Sequence, residues 1–214
     1  VFSSIDEQGR YAYANQPPIA NWNLARLAEA LLPLFGEDQD KAVAQVMPVL
    51  EAFQSRYQHY WLLGMRQKLG LVQEQADDQT LATDFLKTME GQAVDFTQAF
   101  RRLADTAEAA DASREGWLRK LYTDDAALDA WLPRWRARQN AESVTPAQRA
   151  QAMRAVNPVY IPRNHRVEEA LSAASEHGDY TMLQQLLAAL ANPFADLPEY
   201  YHYRTPPAPS ERVY

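Results

Sequence analysis

The stretch NWNLARLAEALLPL (residues 21–34) decides the fold class. Leu24, Leu27, Leu31 and Leu34 recur at steps of three and four, which puts them on one face of a helix. Gly36 follows as a left-handed stop. The same spacing continues along the chain. Val43, Val46, Leu50, Phe53, Tyr57, Tyr60 and Gly64 trace a second helix, with a kink or late start expected at Pro48 and a close helix approach at Gly64. Leu81, Phe85 and Met89 mark a third. Asp95 and Gln98 form a capping arrangement before Phe96, Phe100 and Leu103. Trp117, Leu118 and Leu121 make a short helix. Leu128, Trp131, Leu132 and Trp135 make another, distorted at Pro133. Thr145-Pro146-Ala147-Gln148 is a helix start with cap, proline and box residue together. Asn164 is expected to cap a helix through Val167 and Leu171, Gly178 to close it, and Asn192-Pro193 to end a last helix carrying Met182, Leu186 and Leu190.

The expectation is therefore an all-α fold, an irregular helical bundle. Residues 1–20 read as an extended segment, 21–194 as the helical domain and 195–214 as a Tyr- and Pro-rich tail on the surface or partly disordered. Segment 104–116 (ADTAEAADASREG) is the best internal linker, although one domain is preferred to two. Composition agrees: only 7 of 214 residues are glycine, and helix-favouring Ala, Leu, Gln, Arg and Glu dominate.

Composition also excludes chemistry. A formal net charge of −7 argues against nonspecific nucleic-acid binding. The chain has no cysteine, so disulfides, thiolate catalysis and Cys-ligated zinc are ruled out within it. No apolar run reaches the ~20 residues that span a bilayer. With no leader visible, a cytoplasmic setting is expected.

Few residues point to a reaction. His165 and Glu168 lie one helical turn apart, as two metal ligands would, but no third partner is in register. A hydrogen-bonded histidine near a helix start is the better reading. Asp77-Asp78 and Asp124-Asp125 stand at helix starts and read as caps. Trp131 and Trp135 read as core, with Arg134, Arg136 and Arg138 on a solvated face. Two segments stand out: GRYAYANQP (9–17), with Arg10 among aromatics, and NPVYIPRNH (157–165), which presents Arg163, Asn164 and His165 between stiffening prolines. Each is read as a tightly tied connection before it is read as a loop meeting a ligand or another domain.

FSSIDEQGRYAYANQPPIANWNLARLAEALLPL (2–34), NPVYIPRNHRVEEAL (157–171) and the PF…Y…PP tail together resemble the C-terminal part of the selenoprotein O family, whose bacterial members are YdiU-like proteins. The likeness runs from Phe2 to Tyr214, and segment 73–145 adds little to it. It implies a protein-kinase-like fold in pseudokinase form, of which this chain is the C-lobe and helical extension, with residues 1–20 near the activation loop. It implies an AMP transferase acting from ATP onto Ser, Thr or Tyr of protein substrates with Mg²⁺ or Mn²⁺. The groups that bind nucleotide and metal would lie upstream, so no catalytic, cofactor or metal residue is assigned here and the fragment is expected to be inactive alone. Its partners would be the N-terminal kinase-like part of the same protein and the parent's protein substrates. Arg10, Arg163, Asn164 and His165 are the expected lobe-facing residues. Two departures bear on redox control in the parent: Phe2 within Val1-Phe2-Ser3-Ser4 where some members have Cys, and an end at Val213-Tyr214 without a Cys or selenocysteine tail. The alternative is a non-catalytic helical interaction module.

Overall fold

The computed structural model describes Asp6 and residues 8–208; the redox departures at Val1–Ser4 and Val213-Tyr214 lie outside the described residues. Among those described, the regular structure is helical throughout, as expected. They form two compact units, one ending at Trp61 and one beginning at Leu62. The division does not fall in segment 104–116. Its small residues, which read as linker, close a helix instead, and Ala104, Thr106 and Ala107 are buried.

The first unit contains helix α1, Gln16–Leu31, preceded by a 3₁₀ turn at Tyr13–Asn15 and followed by another at Leu32–Phe35. Helix α1 starts inside the segment read as extended. Pro17 and Pro18 sit in its first turn, where a missing N–H costs nothing. Helix α2, Gln39–Leu69, begins in this unit and ends in the next. Pro48 lies inside it without ending it. The carbonyl that Pro48 deprives of a partner is that of Ala44, an exposed residue that water can serve. Pro133 in a later helix is tolerated in the same way, over exposed Asp129.

The second unit is built from pairs of helices. Helix α3 (Asp78–Thr88), α4 (Phe96–Ala107), the one-turn α5 (Gly116–Arg119), α6 (Ala126–Asn140), α7 (Pro146–Val156), α8 (Asn164–His177) and α9 (Thr181–Ala191) follow in order. α4 lies on α7, α3 on α6 and α8 on α9. The aromatic centre joins the first two pairs: Phe85 meets Phe100 at 5.1 Å and Trp131 at 4.6 Å between ring centroids, and Trp131 stacks on Trp135 at 5.5 Å. Both indole N–H groups find carbonyls, Trp131 on Leu81 (2.8 Å) and Trp135 on Leu69 (2.9 Å). Gly70, just past α2, has φ +72°, and a Cβ there would stand 2.6 Å from Met153 Sδ and 2.7 Å from Arg149 Cγ. The close approach expected at Gly64 is here instead; a Cβ on Gly64 would meet no other described element within 4 Å.

The described part of the tail, residues 195–208, docks rather than trailing. Pro198–Arg204 forms a 3₁₀ stretch, and Tyr203 is buried with Val159, Tyr160, Leu186 and Ala189.

The local start signals act as read. Asp95 caps α4 through the Gln98 N–H, and Thr145 with Gln148 forms a complete capping box on α7. Gly178 ends α8 in the left-handed conformation. At α8, however, Arg163 is the cap position and Asn164 is the first helical residue. Thr145→Ala is expected to cost about 1 kcal/mol in chemical denaturation, with Thr145→Ser close to wild type. Equal losses in both would show that the methyl group, not the hydroxyl, matters.

Candidate functional site

The first of the two unusual segments is tied down by its own side chains. The Asp6 carboxylate accepts from the Arg10 N–H (2.6 Å) and the Tyr11 N–H (2.9 Å). Asn15 Nδ2 donates to the Gly9 carbonyl (2.8 Å). The backbone is thus closed into a loop, and Arg10 is left exposed with its guanidinium 4.9 Å from the Trp22 ring. Arg26 covers the same ring at 5.5 Å.

Beyond that loop the first unit has little interior. Among its described residues only Asp6 and Ala42 are buried. The apolar stripe of α1 is real, yet Leu24, Leu27, Leu31 and Leu34 are all exposed. Leu24, Leu27 and Leu31, with Phe35, Val46 and Val49, border an open apolar groove of about 210 Å³.

The second segment is held more tightly. Asn157 is fully buried, donating through Nδ2 to the Lys68 carbonyl (3.0 Å) and accepting at Oδ1 from Lys68 Nζ (3.1 Å). Burial lowers the Lys68 pKa from its ordinary value. The Val159 and Tyr160 N–H groups share the Pro193 carbonyl, and the Tyr160 hydroxyl donates to the Leu197 carbonyl at 2.8 Å. Arg101 Nη1 reaches the carbonyls of Arg154, Asn157 and Phe194.

At the end of this segment Arg163 is buried, and its Nη1 donates to Asp95 Oδ2 at 2.6 Å. Asp95 therefore serves the α4 cap and Arg163 at once. Arg163 Nε and Nη2, and Arg166 Nε one turn on, are buried with no acceptor among the described residues. Asn164 is exposed and His165 half-buried. Burial pushes the His165 pKa down, and the Arg166 charge pushes it the same way. Of the four residues singled out, Arg163, Asn164 and His165 thus gather at the start of α8, while Arg10 belongs to the other unit. Among the described residues no three His, Cys, Asp or Glu side chains gather as metal ligands.

The most concentrated electrostatics lie where sequence reading placed simple caps and a solvated face. Asp78 is not a cap for α3. Its side chain is fully buried between Arg66 Nε and Arg138 Nε, each at 2.8 Å, and it also takes the Gln75 N–H at 2.9 Å. The Arg138 side chain is only 8% exposed, and donates as well to Glu142 Oε1 at 2.7 Å and to the Gln73 carbonyl. Glu142 receives the Val72 and Gln73 N–H groups. Arg136 is largely covered and pairs with Glu115, while Arg134 alone of the three arginines stays exposed, on Asp84. These partners lie up to 70 residues apart in the chain, so no local spacing pairs them.

Comparison with known proteins agrees with the end motifs. A family model described as "Protein adenylyltransferase SelO" matches residues 1–191. The chain is similar to proteins named "Protein nucleotidyltransferase YdiU": 52% identical over 213 residues to that of Rhodopseudomonas palustris (strain BisB5), 49% to that of Rhizobium etli (strain CIAT 652) and 50% over 215 residues to that of Bradyrhizobium diazoefficiens. Each match covers 100% of this chain but only 42–43% of the relative. The chain therefore spans less than half the length of these relatives. No described helix is long and apolar enough to cross a membrane.

Proposed function

The chain belongs to the SelO family of protein adenylyltransferases, and from that premise we propose that it is the C-terminal helical portion of an enzyme that moves AMP from ATP to Ser, Thr or Tyr hydroxyls of proteins. On this reading the nucleotide and the Mg²⁺ or Mn²⁺ bind the kinase-like pseudokinase part of the longer protein, and these 214 residues are inactive by themselves. They buttress that part and help shape the surface that receives the protein substrate. The setting is the bacterial cytoplasm.

One observation carries the reading. Helix α1 is amphipathic in sequence but has no buried residue. An apolar stripe of that length lowers free energy only when something covers it. In a chain that spans 43% of a relative's length, the remaining part of the same protein is the natural cover. The unpartnered donors of Arg163 and Arg166 support the same view, since a buried guanidinium N–H without an acceptor is costly. Arg10, Arg163, Asn164 and His165 are accordingly proposed to face the kinase-like part. The exposed stripe also suits a non-catalytic interaction module, which is the second reading.

The test is transfer of label from α-labelled ATP, with Mg²⁺ or Mn²⁺, to a protein acceptor. This chain is compared with the full-length protein. Nucleotidyl transfer requires phosphates and metal positioned together, so label is expected from the full-length protein alone. No label from either would favour the interaction module. Label from the short chain would place a nucleotide site within these residues and overturn the proposal.

A further inference from the structure

The charge network of the second unit is one carboxylate short in its interior. The side chains of Arg66, Arg138 and Arg149 are at most 11% exposed. Among the described residues two buried carboxylate side chains face them, Asp78 and Glu142, each at most 1% exposed. The third partner is Glu74, which takes Arg66 Nη1 at 3.0 Å with a side chain 69% exposed. An exposed carboxylate is hydrated and mobile, and its pair with Arg66 is weak. Arg149 shows the same shortage. Burial lowers its pKa, the Glu142 charge opposes this, and the Arg138 charge lowers it further.

Beside this network opens a cleft of about 460 Å³, bordered by Leu63, Val72, Val144 and Ala152 and reaching Arg66 and Arg149. Its walls are mainly apolar, and Val72 and Leu63 are exposed in it. Its size lies in the range of small-molecule sites, which pair apolar walls with a few polar groups.

We propose that this cleft binds a free medium-chain carboxylate. The head group takes the place of Glu74 on Arg66, and the alkyl chain lies along Leu63, Val72 and Val144. A single carboxylate supplies the one missing negative charge, and a guanidinium already held by Asp78 is preorganised to receive it. The apolar walls favour an alkyl body over a small inorganic anion. The inference rests on the second unit alone and is independent of AMP transfer.

Calorimetric titration of the full 214-residue chain tests it, with sodium octanoate as probe and octan-1-ol and butanoate as controls. Octanoate is expected to bind saturably with one equivalent, and each control at least about tenfold more weakly, since each lacks one of the two contributions. Glu74→Gln removes the competing carboxylate and is expected to tighten octanoate binding severalfold. Ala152→Phe, at an exposed position of α7, is expected to fill the cleft and abolish binding without lowering the melting temperature. Equal affinity for octanoate and octanol, unchanged or weaker binding in Glu74→Gln, or no saturable binding would each overturn the proposal.

Discussion

Asp78→Ala is expected to destabilise the second unit by about 3–5 kcal/mol, the range for removing one partner from a buried ion pair. The carboxylate lies between two guanidiniums, Arg66 and Arg138, each 2.8 Å away. Without it, two nearly buried positive charges face each other across an apolar gap. Asp78→Asn keeps the shape but not the charge, so it should recover only part of the loss. Urea denaturation measures both, and a loss below about 1 kcal/mol for the alanine variant would show that the network is not structural. Acid should reproduce the effect in the wild type. Burial pushes the Asp78 pKa up, but hydrogen bonds from Arg138, the Gln75 N–H and Arg66 outweigh it, leaving the pKa below its ordinary 3.8. A depressed folded pKa contributes stability above the unfolded value and loses it as pH falls through the folded one. Stability should therefore fall on acidification below 3.8, with a shallower slope in Asp78→Ala.

Trp131→Ala is expected to cost a similar amount, about 3–5 kcal/mol, by leaving a cavity in the aromatic centre. The ring touches Phe85 of α3 and Trp135 of α6, and its N–H is bonded to the Leu81 carbonyl, so it fastens α3 to α6. Trp131→Phe should restore most of the packing and still lack the hydrogen bond, a deficit of roughly 1 kcal/mol. Near-UV circular dichroism together with chemical denaturation would follow both. Unaltered near-UV signal in the alanine variant would contradict a fixed stack at this position. Asp78 and Leu81 share helix α3, so the double variant Asp78→Ala/Trp131→Ala is not expected to be additive.

Much of the architecture was legible because helices are specified locally. The three- and four-residue spacing of Leu24, Leu27 and Leu31, the caps at Asp95 and Thr145 and the stop at Gly178 each involve residues within one or two turns. The family, too, was legible from two long end motifs. The charged residues were misread where their fate depends on distant partners. Asp78 stands where a cap would stand, and Arg138 reads with the solvated arginines although it stands seven residues after Trp131 and three after Trp135, on the same buried stripe of α6. Only folding brings these two together across 60 residues, and only then are both desolvated.

By itself, the sequence determined the helical class, the helix starts and stops, and the kinship with SelO proteins. The tertiary structure decided which arginines are buried, that the close approach is at Gly70, and that the stripe of α1 is left uncovered. The reason is physical. Capping and amphipathic spacing are set by neighbours along the chain, whereas desolvation is set by whatever the fold places alongside.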